Sequence, residues 1–123
     1  MPKKILVVDD ERVIVQMVGM RLKAHGYDVI SACDGQEGLD VAKKEKPDLI
    51  ILDVMMPKMD GYKVCGLLKM DARFAKIPII MFTARAQDKD RDLGKEVGAN
   101  AYITKPFDPQ LLVGKVKELL GED

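Results

Sequence analysis

Leu49-Ile50-Ile51-Leu52-Asp53-Val54-Met55-Met56-Pro57-Lys58-Met59-Asp60-Gly61 is the stretch on which the fold turns. It begins as an unbroken apolar run, the pattern of a strand covered on both faces, as strands are in a parallel sheet. The run stops at one carboxylate, Asp53. Met56-Pro57 cannot continue a strand, because proline has no amide hydrogen to give a ladder, and Asp60-Gly61 is a turn pair. Asp53 therefore stands where a buried parallel strand ends. Open α/β sheets bind their ligands just beyond the carboxyl ends of the strands. A lone aspartate in that place is more simply read as a loop cap, so the rest of the chain has to decide.

Outward from this run, residues 4–8, 28–33, 77–83 and 101–104 read as further short strands. Helical periodicity fills the gaps. Residues 11–25 carry Val13, Ile14, Met17, Val18 and Leu22 at helical spacing, with Gly26 placed to end the helix. Asp34 followed by Glu37 looks like a capping box opening a helix to about residue 44. A third helix runs over 60–70 with Val64, Leu67 and Leu68 inward, and a fourth over 86–97 is the most polar. Asp108-Pro109, an N-cap with proline at N1, opens a fifth through residue 120. Five βα units linked by right-handed crossovers give an α/β fold. The expectation is a (βα)5 doubly wound parallel five-stranded sheet of order 2-1-3-4-5, a flavodoxin-like three-layer sandwich.

The 123 residues suffice for one core, so a single domain over 1–123 is expected. Hydrophobic content of 47% and charged content of 33% fit an ordinary globular protein. Lys+Arg and Asp+Glu balance at 20 each, which argues against bulk nucleic-acid binding. No apolar run is long enough to cross a membrane, and the first apolar run is too short for a signal peptide. Cys33 and Cys65 lack CxxC spacing and read as buried free thiols, so a cytoplasmic location is expected.

In a parallel sheet all the C-terminal strand ends share one edge. That edge collects Asp9 and Asp10 from strand one, Asp53 from strand three, Thr83 from strand four and Lys105, before Pro106, from strand five. The order 2-1-3-4-5 makes strands one and three neighbours, with the topological switch point between them. Three carboxylates in one pocket repel unless cations join them. Lys105 supplies one. An all-oxygen pocket also suits Mg²⁺, which takes one or two carboxylates plus waters and phosphate oxygens. His25 is the only histidine and Cys/His clusters are absent, so zinc is not indicated; nor is there a GxxxxGK[ST] or GxGxxG loop. Each residue has a plainer reading alone, as cap, strand terminus or surface lysine. Their joint placement is hard to assemble by chance.

With these motifs the chain strongly resembles the receiver domain of bacterial two-component response regulators, including the single-domain chemotaxis regulator. The matching residues are Ile5-Leu6-Val7-Val8-Asp9-Asp10, Asp53 through Gly61, Thr83-Ala84 and Lys105-Pro106-Phe107. The resemblance implies that Asp53 accepts a phosphoryl group from a sensor histidine kinase, a phosphotransfer protein or a small phosphodonor. It implies Mg²⁺ held by Asp9, Asp10, Asp53 and the Met55 backbone carbonyl. Lys105 would pair with one phosphoryl oxygen and Thr83 would hydrogen-bond another, with Tyr102 as the aromatic switch and a cis Lys105–Pro106 bond. The phosphorylated state would alter the surface of the fourth helix, strand five and the fifth helix, and so control a downstream effector protein or an output domain. Such a protein is a signalling switch that catalyses only its own phosphoryl transfer and slow autodephosphorylation, not an enzyme acting on external substrates. It would contact neither nucleic acid nor membrane directly.

Two departures bear on assembly. Receivers of the winged-helix transcription-factor group enter strand five through Gly-Ala-Asp-Asp-Tyr; here the run is Gly98-Ala99-Asn100-Ala101-Tyr102, and Lys115 replaces the group's arginine. Both changes weaken that group's salt-bridged dimer, so a monomer or a weak phosphorylation-dependent dimer is expected. The longer connection over 70–77 looks more like stand-alone, hybrid-kinase or cyclase-linked receivers. A Mg²⁺-dependent phosphatase with an aspartate nucleophile is the competing class. It needs a second aspartate two residues on, where this chain has Met55.

Overall fold

The computed structural model describes residues 2–56, 58–83 and 98–122. Within them strands and helices run in the order β1 (Lys4–Val8), α1 (Arg12–Ala24), β2 (Asp28–Ala32), α2 (Gly35–Glu45), β3 (Leu49–Asp53), α3 (Gly61–Met70), β4 (Ile79–Thr83), β5 (Ala101–Thr104) and α4 (Pro109–Leu119). The helix expected over 86–97 lies outside the described residues, so α4 is the last of the helices read from the sequence. The sheet is parallel throughout, in the order β2-β1-β3-β4-β5.

Alternation along each strand divides the core in two. Leu6, Val8, Ile50, Leu52, Ile79 and Met81 face Leu39 and Ala42 of α2 and Val64 and Leu68 of α3. Ile5, Val7, Leu49, Ile51, Ile80 and Phe82 face Val18 and Leu22 of α1 and Leu112 and Val116 of α4. This is the period-two geometry of a strand with both faces covered, and it produces three layers.

Register then sets the functional edge. Val8 pairs with Leu52, Asp53 with Phe82, and Thr83 with Thr104. Asp9 therefore leaves β1 level with Asp53, while Lys105 leaves β5 one step past Thr83. The Lys105–Pro106 peptide is cis.

The caps explain where the helices begin. Asp34 Oδ1 accepts from Glu37 N at 2.8 Å, and Glu37 Oε1 accepts from Cys33 N at 2.8 Å, a reciprocal box displaced by one residue. Asp60 accepts from Lys63 N and Asp108 from Gln110 N, each at 2.9 Å. Three side chains depart from expectation. Leu67, read as inward, is exposed, and so are Val13 and Met17 of the helically spaced apolar set in α1. Cys33 is also exposed, since β2 ends one residue before it at the edge of the sheet, whereas Cys65 is buried.

The start of α3 is packed against the end of β3. A Cβ on Gly61 would run into the Asp53 carbonyl oxygen and the Val54 Cα. Gly61→Ala should therefore destabilise the protein by about 1–3 kcal/mol, the usual cost of overpacking, and slow chemistry at Asp53 by displacing it. Thermal melts would check this; a melting temperature equal to the parent's would show that the backbone has room to give.

Candidate functional site

β1, β3, β4 and β5 deliver Asp9, Asp53, Thr83 and Lys105 to one edge. Asp9, Asp53 and Thr83 are buried, and Asp10 is exposed beside them. One carboxylate oxygen each from Asp9, Asp10 and Asp53 lies within 4.8 Å of the others. The expected acidic cluster is thus assembled.

Lys105 sits among them. Its Nζ is 2.8 Å from Asp9 Oδ2, 3.4 Å from Asp53 Oδ1 and 3.5 Å from Glu11 Oε1. Its backbone N–H donates to the Thr83 carbonyl at 2.6 Å, tying the end of β5 to the end of β4. Asp9 Oδ1 accepts from Glu11 N at 2.9 Å. Asp9 Oδ2 is otherwise poorly served. Despite its closeness to the Lys105 ammonium, it is buried with no donor in hydrogen-bonding geometry among the described residues. We read the Lys105–Asp9 contact as a charge pair.

The electrostatics follow from the burial. Loss of solvent, and then the Asp9 charge, push the Asp53 carboxyl up to about 7, while Lys105 and the Met55 N–H pull it down. Burial works against the Lys105 ammonium, but contact with Asp9 and the charges of Asp53, Asp9 and Glu11 hold it above its ordinary value.

A hard cation fits this donor set. The oxygens are close together and carboxylate-only, and the buried Asp9 Oδ2 lacks a hydrogen-bond donor. Asp9, Asp10 and Asp53 are the groups that can hold it. The exposed Met55 adjoins Asp53, to which its N–H donates at 3.4 Å. Tyr102 is not in the pocket. It is half-buried on β5 against the core on the α2 and α3 side.

Sequence reasoning passed over two participants. Glu11 reaches Lys105, and the only signal was the unbroken acidic run Asp9-Asp10-Glu11. Phe82 places its ring 5.6 Å from Lys105 Nζ and 5.7 Å from the Phe107 ring, which braces the lysine from below. On the sequence it was one more apolar strand residue.

Comparison with known proteins agrees with this geometry. The family model for the response regulator receiver domain matches residues 5–117. The alkaline phosphatase synthesis transcriptional regulatory protein PhoP of Bacillus subtilis is 51% identical over 120 residues, covering 98% of this chain and 49% of that protein. The chain thus spans about half the length of the curated relatives it matches. Among solved structures, the chemotaxis protein CheY4 of Vibrio cholerae superposes with a TM-score of 0.92 at 37% identity, covering 97% of this chain and 99% of that one. The receiver domain of sensor histidine kinase PA1611 from Pseudomonas aeruginosa, solved with magnesium coordinated in its active-site cleft, gives 0.91 at 29% identity, covering 99% and 100%. The chemotaxis regulator is therefore one likeness among several, alongside transcriptional regulators and the receiver domain of a sensor histidine kinase.

Proposed function

The chain belongs to the response regulator receiver domains, and from that premise we propose that it is a signalling switch that accepts a phosphoryl group on Asp53. The observation that carries the reading is the buried Asp53 carboxylate, held between Asp9 and the ammonium of Lys105. An Asp53 oxygen attacks the donor phosphorus, and the leaving group departs with the electron pair of its bond. Phosphoryl transfer asks the protein for positioning and charge neutralisation more than for covalent help. Lys105 supplies part of that charge from β5. Asp9, Asp10, Asp53 and the Met55 carbonyl would hold Mg²⁺, which when bound offsets negative charge on the transferring oxygens.

Signalling follows from the same register. The Thr83 hydroxyl at the end of β4 turns toward a phosphoryl oxygen, and the half-buried Tyr102 moves into the space it leaves. The surface of β5 and α4 changes as a result. A sensor histidine kinase or phosphotransfer protein supplies the phosphoryl group, and a downstream effector protein or output domain reads the surface. The domain itself turns over no external substrate. The Met55 position, where an aspartate-nucleophile phosphatase needs its acid/base, offers none. Asn100 Oδ1 accepts from Ile79 N at 2.9 Å and Lys115 pairs with Glu118 of its own helix at 3.0 Å, so both are engaged within the chain. This supports a monomer or a weak phosphorylation-dependent dimer.

Intact-mass spectrometry after incubation with acetyl phosphate tests the reading. One phosphoryl adduct should form with MgCl₂ and none with EDTA; no adduct in either would overturn it. Thr83→Ala should accept the phosphoryl group yet fail to transmit it. Backbone NMR shifts of β5 and α4 on adding beryllofluoride, which stands in for the phosphoryl group, should shrink to a small fraction of the parent's. Full shifts would remove Thr83 from the signal path.

A further inference from the structure

Three carboxylates share the Lys105 ammonium, and the third is unlike the other two. Asp9 and Asp53 are buried, whereas the Glu11 side chain is 62% exposed at the mouth of the pocket, 3.5 Å from Lys105 Nζ. Glu11 is also the N-cap residue of α1, with φ −91° and ψ 106°, and its side chain makes no capping hydrogen bond. The α2, α3 and α4 caps are aspartates that bond their first-turn amides. A glutamate is one methylene longer, and here it leaves the helix end and reaches for the lysine. Two hydrogen bonds hold its backbone. The N–H donates to Asp9 Oδ1 at 2.9 Å and the carbonyl accepts from Val15 N at 3.2 Å.

We propose that Glu11 is a positioning residue that restrains Lys105 in the resting pocket and thereby slows entry of the phosphoryl group. The inference rests on Asp53 as phosphoacceptor. With an acyl phosphate donor, an Asp53 oxygen forms the new O–P bond while the donor's acyl O–P bond breaks. Acetate leaves with that electron pair, and neither an oxidant nor a proton is required. Charge on the peripheral phosphoryl oxygens is then met by Lys105, which must give up Glu11 to reach them. The brake acts through the lysine, and its size is that of a partly exposed ion pair, about two- to fivefold in rate.

The test compares the parent with Glu11→Gln and Glu11→Asp. Glu11→Gln removes the charge. Glu11→Asp keeps the charge but shortens the reach. Adduct formation with acetyl phosphate and excess MgCl₂, followed by intact mass, should be about two- to fivefold faster in both variants. The Lys105 side-chain ammonium resonance, recorded without metal or donor, should move in both. Acceleration in Glu11→Gln alone would mean simple repulsion of the donor at the pocket mouth and would overturn the proposal. So would three equal rates, or a Lys105 resonance unmoved by either change. These failures differ from failure of the phosphoacceptor reading, in which the parent itself takes no adduct. Both substitutions lie at an exposed side chain, and thermal melts would verify that the fold is kept.

Discussion

Asp53→Asn, incubated with acetyl phosphate and MgCl₂, is expected to take up no phosphoryl group under conditions in which the parent takes up one. Three carboxylates stand at the strand ends, and they are not equivalent. Asp9 is the most enclosed. One of its oxygens receives the Glu11 N–H and the other faces Lys105 at 2.8 Å, so neither is free to attack. Asp10 is exposed, and among the described residues it forms no ion pair. Asp53 combines burial, a lysine at 3.4 Å and a carboxyl pushed up to about 7. A carboxylate that the pocket stabilises poorly is the better nucleophile, and a divalent cation beside it restores the ionised form at neutral pH. The amide of asparagine has the same shape without the charge or the nucleophilic oxygen. Uptake should fall by more than about a hundredfold, to baseline. Because Asp53 is also a candidate metal ligand, tandem mass spectrometry should in addition place the parent's adduct on residue 53. An adduct surviving in Asp53→Asn, or mapping to Asp9 or Asp10, would move the nucleophile elsewhere.

Much of this arrangement was legible before any coordinates. β3 and β4 are buried at every position, so they appear in the sequence as continuous apolar runs. Parallel topology then carries the residue after each run to a common edge, which is why Asp9, Asp53, Thr83 and Lys105 could be grouped without distances. The aspartate caps at Asp34, Asp60 and Asp108 are local, and local chemistry reads well. Features set by how far one element overlaps another were not legible. Helical spacing grouped Val13 and Met17 with the apolar residues of α1, yet both side chains lie in solvent. Cys33 follows an apolar strand, and only the end of β2 at the sheet edge exposes it. Glu11 meets Lys105 across almost the whole chain length, a pairing that no local pattern encodes.

Without metal, the protein should become more stable as the pH falls from about 7 toward about 4, and Asp53→Asn should lose that component. The folded chain holds the Asp53 carboxyl near 7, mainly through burial and then through Asp9, whereas an unfolded aspartate titrates near about 3.9. Between those values the folded state keeps a proton that the unfolded state has released, so stability falls as the pH rises. The contribution is fully present below about pH 4 and lost above about pH 7. Carboxylates remote from the pocket are common to parent and variant, so the difference between the two reports Asp53 together with the Asp9 and Lys105 charges it faces. At pH 8 in EDTA the variant should melt higher by roughly 3–10 °C, corresponding to about 1–2 kcal/mol on a domain of this size. The linkage alone would give more, at about 1.4 kcal/mol per pH unit, but the substitution also forfeits the Asp53–Lys105 contact. MgCl₂ should narrow the margin by stabilising the parent by about 1 kcal/mol at millimolar metal while leaving the variant nearly unmoved. Asp10→Asn should raise the metal-free melting temperature less than Asp53→Asn does, because the Asp10 carboxylate already faces water. Thermal scans at pH 8 and pH 5, with EDTA and with MgCl₂, settle the matter. If Asp53→Asn melts no higher than the parent at pH 8, or if its margin is the same at pH 5, then Lys105 already balances the pocket and the Asp53 charge is not a source of strain.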